Sequence, residues 1–551
     1  MAELDSLIDS MISQRKAGEV NYIDDKYADT IKVESIPSKG QGVFAQRSLS
    51  VKDALCSLNV PTTMAIDAEY LSTTCYHCLI VTSTQLPLAQ AGTASASLKD
   101  CGGCRKARFC SRECQVEAWH AYHKFECKIF KKVADDLPPP ILRAVLRVVL
   151  LKDRNKIPED EWTRISSLTS HEHILAGRGR SNITDMAEGI KHLAESSMTV
   201  EMIQRLIFIM RSNTIELPTP IHGPMGVMLE PLVAKFNHSC EPNLAIHRPQ
   251  YTMKSRWMKS EQLSEDERQT FFQLIPLRDI QQGEELCISY VVPTVSVSAR
   301  RKKLMDDYLF ECNCPRCKSD MEASAELSKE HPNLPGQFEQ WVKDVGRHLG
   351  RVSKDPSSLQ KAGGVMAKSD RFYDYPTIYT TGDYPEIAMT IIFEALKSQE
   401  FDEALVNILR IYFLINPARL VGRHNPTNLY TIFLMLDIFD AVLGIKVPTG
   451  ANDDKVNKWQ QSLSERGLTE SGLIYWREKV CADLRRRLES SAAKDLLVLV
   501  DERDMQAKQV SQTQGHGDEK KEGPESAEEE MRALLRIKEQ KWSQVMRQNG
   551  C

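Results

Sequence analysis

Residues 101–127 read CGGCRKARFCSRECQVEAWHAYHKFEC, and with Cys75 and Cys78 upstream they set out short pairs of metal-ligating side chains. The pairs are Cys75 with Cys78 and Cys101 with Cys104 at C-x2-C, Cys110 with Cys114 at C-x3-C, and His123 with Cys127 at H-x3-C. A short pair can turn back to grip one tetrahedral ion while a second pair closes the shell, so these eight residues supply two zinc sites. His120 competes with His123, and the H-x3-C spacing favours His123. Unrelated buried thiols do not fall into ligand register in this way.

The chain around this module has 551 residues, 42% of them hydrophobic, which is enough for several cores. A formal net charge of -4 gives no general attraction to nucleic acid or to an acidic membrane. A DNA-binding reading also lacks a strongly basic domain or a recognition-helix motif, so nucleic acid is not the expected main partner. The first residues, MAELDSLIDSMISQRKAGEV, carry no apolar signal core, and no span approaches the ~20 apolar residues that cross a bilayer. The expectation is a soluble, unsecreted monomer of the nucleus or cytoplasm, without a membrane partner. In that setting the fifteen cysteines read as metal ligands and ordinary thiols rather than disulfides.

Outward from the finger, the pattern changes several times. IKVESI, GVFAQRSL and ALCSLNV between Ile31 and Met64 read as short strands. The stretch VTSTQLPLAQAGTASASLKD within the finger reads as a flexible loop. ILRAVLRVVLL and VEMIQRLIFIM, between Ile141 and Met210, have helical apolar spacing. Strand-like pieces return at Phe271 to Ile275 and Leu286 to Val292, and from Gly336 to Asp501 the chain reads almost wholly as helix. Residues from Gln506 to Glu530 are charged and poor in core-forming side chains, so they read as disordered, with a short charged helix after them. A further cysteine group, E-C-N-C-P-R-C, places Cys312, Cys314 and Cys317 in a C-x-C-x2-C cluster that needs one more ligand. Cys240 is the nearest free candidate, leaving Cys56, Cys287, Cys481 and Cys551 as thiols and bringing the expected zinc count to about three.

The segment from Cys101 to Cys127, with Trp119 between its last pairs, closely resembles a MYND finger. That resemblance implies interleaved pairs: Cys75, Cys78, Cys110 and Cys114 on one zinc, and Cys101, Cys104, His123 and Cys127 on the other. It also implies a peptide-binding module, with a short proline-containing segment as partner. Other pieces, weak singly, resemble the SET domain when taken in order. They are K-G-x-G at Lys39 to Gly42, R-S-N-T at Arg211 to Thr214, N-H-S-C at Asn237 to Cys240, G-E-E-L-C-I-S-Y ending at Tyr290, and the cysteine-rich segment with Tyr308 and Phe310. With the finger between the first and later pieces, the arrangement looks like the family of SET and MYND domain-containing protein lysine methyltransferases, over roughly residues 30 to 320.

The resemblance implies an α+β fold in which a β-rich SET domain is split by the finger and a helical insert. The implied order is an N-terminal segment 1–29, first SET part 30–74, finger 75–127, helical insert 128–210, SET core 211–293 and post-SET zinc segment 294–320. A helical, tetratricopeptide-like domain 336–501 and a mostly disordered charged tail 506–551 follow. The implied activity is methyl transfer from S-adenosylmethionine to lysine in a protein, with a histone tail as one candidate. The other reading is a MYND-based adaptor whose SET domain no longer turns over.

Cofactor contacts are implied at Lys39, Gly40, Gln41, Gly42, Asn213, Asn237, His238, Tyr290 and Phe310, and through a shorter match in SLTSHEH at His171. Glycines allow close backbone approach, and Lys39 can meet a carboxylate. Tyr290 and Tyr308 are the implied catalytic residues. Tyr290 orients the neutral amine, and Tyr308 walls the lysine channel.

Overall fold

The computed structural model describes residues 27–37, 39–58, 61–81, 98–133, 136–172, 180–217, 225–249, 271–352, 355, 357–367, 372, 375, 377–378, 382–448, 451–514, 524–535, 542–543 and 546–547. Most of the N-terminal segment and of the loop expected between Cys78 and Cys101 lies outside these residues. The chain divides into two compact units: Met1–Ser83, Ala94–Tyr290 and Met305–Phe310 in the first, and Thr84–Thr93, Val291–Leu304 and Glu311–Cys551 in the second.

The first unit opens with a hairpin of β1 (Ile31–Ile36) and β2 (Gly40–Ala45), paired antiparallel with Ile36 opposite Gly40. Gly40 sits at φ +84°, a left-handed turn conformation that side-chain-bearing residues rarely adopt, so glycine here closes the hairpin. β3 (Cys56–Leu58) and β4 (Thr63–Ile66) follow. The finger adds β5 (Lys99–Asp100), β6 (Arg108–Phe109) and helix α1 (Arg112–Ala118), a π-helical turn at Trp119–His123, and α2 (Lys124–Val133). Ser111 starts α1 by accepting a hydrogen bond from the Cys114 backbone N–H.

The insert is made of α3 (Pro140–Lys152), α4 (Glu159–Ser166), α5 (Arg180–Ala194) and α6 (Val200–Asn213). Their apolar faces form a separate cluster that includes Val145, Val149, Leu206 and Ile209. The remaining strands are β7 (Ile215–Glu216), β8 (Gly226–Leu229), β9 (Asn237–His238), β10 (Leu244–His247), β11 (Phe272–Pro276) and β12 (Glu285–Ile288). They complete small sheets rather than one large one: β1-β2-β12-β9, β10-β11-β3 and β4-β8-β7. Each sheet mixes strands from before and after the finger and insert, so the two halves of the β-rich domain are one folding unit. Phe109, Phe130 and the finger's cysteines share an apolar cluster with Val43, Phe236 and Leu286.

The second unit is helical. It holds most of α7 (Val297–Tyr308), whose last turn belongs with the first unit, then α8 (Pro315–Glu330), α9 (Leu334–Leu349), α10 (Ser357–Ala367), α11 (Tyr384–Lys397) and α12 (Phe401–Arg410). α13 (Pro426–Val442), α14 (Asp453–Glu465), α15 (Glu470–Glu489), α16 (Leu497–Gln514) and α17 (Pro524–Leu535) complete it. α13 is buried on every side, as a central helix must be when others pack around it. Its Asp437 and Asp440 meet Arg503 and Arg477, so the buried acids have partners.

Two described stretches of the tail expected from residue 506 onward are helical. α16 continues to Gln514, and α17 buries Ala527, Met531 and Leu535. The Trp476 indole donates to the Ala527 carbonyl at 2.8 Å, and Glu530 accepts from the Thr469 backbone N–H at 3.1 Å. The charge in PESAEEEMRALL masked a narrow apolar stripe, which is all a twelve-residue helix needs when a groove awaits it. No helix among the described residues is long and apolar enough to cross a membrane.

Candidate metal centres and active site

The finger's ligand atoms converge in two sets. The sulfurs of Cys75, Cys78, Cys110 and Cys114 lie within 4.8 Å of one another, and so do those of Cys101, Cys104 and Cys127 with a ring nitrogen of His123. Sulfur separations are 3.4 Å for Cys78 and Cys110, 3.5 Å for Cys110 and Cys114, and 3.7 Å for Cys101 and Cys127. A disulfide needs about 2.05 Å, whereas a tetrahedron with ~2.3 Å metal–sulfur bonds has edges of about 3.8 Å. Four buried thiols this close cannot all ionise without a cation among them, so the donor sets fit zinc.

His123 points Nε2 at Cys101 and Cys104, at 3.3 and 3.6 Å, and turns Nδ1 toward the Glu126 carboxylate at 3.7 Å. His120 is exposed. Glu126 is itself held by Arg147 at 2.6 Å and by the Tyr76 hydroxyl at 3.2 Å. Burial opposes its charge, but Arg147 and His123 hold the carboxyl down at about 2. A carboxylate behind a ligand histidine fixes ring orientation and raises its basicity. Cys312, Cys314 and Cys317 belong to the second unit, where Cys314 caps the start of α8, while Cys240 is fully buried in the first.

A second group of polar side chains lies at the ends of β2, β9 and β12. β9 and β12 run parallel, with Cys287 opposite Asn237 and Ile288 opposite His238. The Asn237 amide donates to the Gln41 carbonyl at 2.9 Å and to Glu285 Oε1 at 2.8 Å. Lys39, on the β1–β2 turn, reaches the other Glu285 oxygen at 3.2 Å. A Cβ at Gly42 would lie 2.4 Å from Ile36 Cδ1 and 3.1 Å from the Asn237 amide nitrogen, so a side chain there would have to displace Ile36 and press on the amide. A Cβ at Gly40 would meet nothing within 4 Å, which leaves the turn's backbone open to a ligand.

His238 Nδ1 accepts the Tyr290 backbone N–H at 3.0 Å. A backbone N–H can only donate, so the neutral ring carries its proton on Nε2, which points at the Cys240 sulfur at 3.2 Å. The Tyr290 hydroxyl donates to the Phe236 carbonyl at 2.6 Å, leaving its oxygen lone pairs free to accept. Tyr308 packs 4.8 Å from the Tyr290 ring, and Phe310 lies 6.0 Å from His238. Burial, and then the neighbouring Tyr308, raise the Tyr290 phenol well above its ordinary value, so it stays protonated at neutral pH. Tyr308 is raised likewise, by burial and then Asp307.

A family profile described as the MYND finger matches residues 75–127. Over 293 residues the chain is 25% identical to SET domain and MYND-type zinc finger protein 6 of Schizosaccharomyces pombe, which is 52% of this chain and 51% of that protein. It is 27% identical to Histone-lysine N-methyltransferase SMYD3 of Homo sapiens over 268 residues, 47% of this chain and 55% of that protein. It is 22% identical to N-lysine methyltransferase SMYD2-A of Xenopus laevis over 357 residues, 61% of this chain and 75% of that protein. Over about half its length the chain is similar to SET and MYND domain-containing proteins. It spans about half the length of the first curated relatives it matches. The SET domain of LSMT, solved with lysine and AdoHcy, aligns over 94% of this chain at 9% identity and a TM-score of 0.28, too weak a likeness to argue from.

Of the positions singled out in the SET-like segments, Lys39, Gly40, Gln41, Gly42, Asn237, His238, Tyr290, Tyr308 and Phe310 are linked by the contacts above. Asn213 and His171 are placed differently. The Asn213 amide donates to the Thr169 and Ile209 carbonyls at 2.7 and 2.8 Å, tying the SLTSHEH segment to the end of α6. His171 there takes a left-handed φ of 48°. Sequence reading missed Glu285, Glu126 and Arg147. Glu285 lay in plain view within G-E-E-L, but nothing in a strand of alternating residues says which carboxylate turns inward. The Glu126–Arg147 pair joins the finger to the insert and leaves no spacing signal.

Proposed function

We propose that this chain is a protein-lysine N-methyltransferase that takes its methyl group from S-adenosylmethionine. The observation that carries the reading is a protonated Tyr290, packed beside the half-buried ring of Tyr308, whose hydroxyl donates to a backbone carbonyl and whose oxygen lone pairs remain free to accept. S-adenosylmethionine, when bound, supplies an electrophilic methyl on a sulfonium. Asn237, Lys39 and the open turn at Gly40 suit its amino-acid part, and His238 and Phe310 offer ring faces to its adenine. A substrate lysine with a pKa near 10.4 gives up its proton at a cost of about 4 kcal/mol at pH 7.4. The aromatic walls of Tyr290 and Tyr308 disfavour the ammonium and lower that cost. The Tyr290 oxygen then accepts an N–H of the amine and aims its lone pair.

The relatives' names motivate histone tails as one substrate class and other proteins as a second, with the enzyme in the nucleus or cytoplasm. The finger is proposed to hold a proline-containing peptide, on a basic face drawn from Arg105, Lys106, Arg108, Arg112 and Lys124. The proposed metal content is about three zinc ions, the third on Cys240, Cys312, Cys314 and Cys317. The adaptor reading keeps the finger and loses the chemistry. Calorimetry with S-adenosylhomocysteine separates them: saturable one-site binding is expected, and its absence in zinc-loaded protein would favour the adaptor.

A further inference from the structure

Glu285 touches two of the residues proposed to hold the cofactor's amino-acid end. Its Oε2 pairs with Lys39 at 3.2 Å and its Oε1 accepts from the Asn237 amide at 2.8 Å. The two contacts differ in consequence. Lys39 is more than half exposed, on a turn beside an open glycine, and a long ammonium side chain there samples many rotamers unless something holds it. Glu285 is only 22% exposed, backed by β2 and fixed on a strand, so it can act as the fixed end of that pair.

For Asn237 the effect concerns which end of the amide faces outward. Its nitrogen lies between two oxygens, the Gln41 carbonyl and Glu285 Oε1. Both can only accept, so the amide cannot flip without setting oxygen against oxygen twice. With both hydrogens directed inward, the side-chain oxygen is the end left to meet a ligand. The result is an ammonium at Lys39 and a carbonyl oxygen at Asn237, both set by one carboxylate. That pair matches an α-amino acid zwitterion, whose carboxylate seeks a cation and whose ammonium seeks an acceptor.

We propose that Glu285 is a positioning residue for the cofactor's amino-acid end, presenting Lys39 to its carboxylate and the Asn237 oxygen to its ammonium. The inference rests on the S-adenosylmethionine reading above and adds which residue sets the polarity of the cradle. Glu285 also keeps the cradle near neutral, so a zwitterion enters without leaving an uncompensated charge.

Two ligands and two variants test it on the full zinc-loaded chain. S-adenosylhomocysteine carries the zwitterion, and methylthioadenosine shares the adenosine and thioether but lacks it. Glu285→Ala is expected to weaken S-adenosylhomocysteine roughly tenfold or more, as loss of a charge-assisted contact does, and to leave methylthioadenosine within about twofold. Glu285→Gln should fall between, since its carbonyl oxygen still accepts from Asn237 but the charge on Lys39 is unpaired. Unchanged S-adenosylhomocysteine affinity in Glu285→Ala would overturn the proposal. So would equal weakening of both ligands, which would mean the pocket had collapsed. Wild-type protein that binds neither ligand would refute the cofactor reading itself, and this inference with it.

Discussion

At Tyr290, one hydroxyl separates a packing residue from a working one. Its ring is held by Tyr308 and His238, and its backbone N–H by His238, so Tyr290→Phe keeps the volume and loses only the oxygen. Turnover on a lysine peptide is expected to fall roughly 10- to 100-fold, the worth of a hydrogen bond near a charged group, while calorimetric affinity for S-adenosylhomocysteine stays near wild type. A matched loss of both would show that the ring had moved. A different residue contributes to the pH response. Burial raises the Glu230 carboxyl to about 7, against a smaller lowering by the Leu232 backbone N–H. The folded chain therefore keeps a proton that the unfolded chain releases above about pH 4.5, and stability from this group falls as pH rises from there through 7. Glu230→Gln should raise Tm at pH 8 and change it little near pH 4.5; an equal shift at both would contradict the assignment. Residue identities at the strand ends were legible because family motifs name them together. Their orientation was not, since a sequence cannot say that the Asn237 amide turns toward Glu285.

At the scale of elements, the short strands around Ile31, Phe272 and Leu286 could be read from β-branched runs and glycine punctuation, and the helices of the insert from apolar spacing. α17 could not. Its composition is that of a solvated tail, and only the groove floored by Trp476 reveals why it folds. A twelve-residue helix is marginal alone, so its order comes from docking. Burying Met531, Leu534 and Leu535 contributes on the order of 5 kcal/mol by area, an upper value. Ending the chain at residue 523 should therefore lower the melting temperature of the helical unit and increase binding of a hydrophobic dye, with the Trp476 indole left unpaired. Unchanged melting would mean that the docked helix adds nothing.

At the scale of the molecule, the finger is part of the first unit's core rather than an appendage. Its cysteines share an apolar cluster with Val43 and Leu286, and Arg147 ties Glu126, behind the ligand His123, to the Met64 carbonyl of β4 at 2.8 Å. Zinc binding energy is thus folding energy for the β-rich domain as well. Metal analysis is expected to give about three zinc ions per chain, and a strong chelator should loosen the strands as well as the finger, seen as faster amide exchange in β2 and β12. Exchange confined to residues 75–127 would contradict that coupling. The four ligand pairs were legible in spacing, and their interleaving into two quartets in the resemblance to a MYND finger. The division into two units was not, because the boundary falls just after Tyr290 and carries no linker composition.

The central claim is that the constellation around Tyr290 transfers methyl groups to lysine. The measurement that meets it most directly is transfer of label from methyl-tritiated S-adenosylmethionine to a proteome-derived protein mixture, comparing wild type with Tyr290→Phe and locating the label by mass spectrometry. Label is expected on lysine Nζ with the wild type and nearly none with the variant. Label that is absent with both, in protein that still binds S-adenosylhomocysteine, would contradict it and leave the chain a zinc-held adaptor.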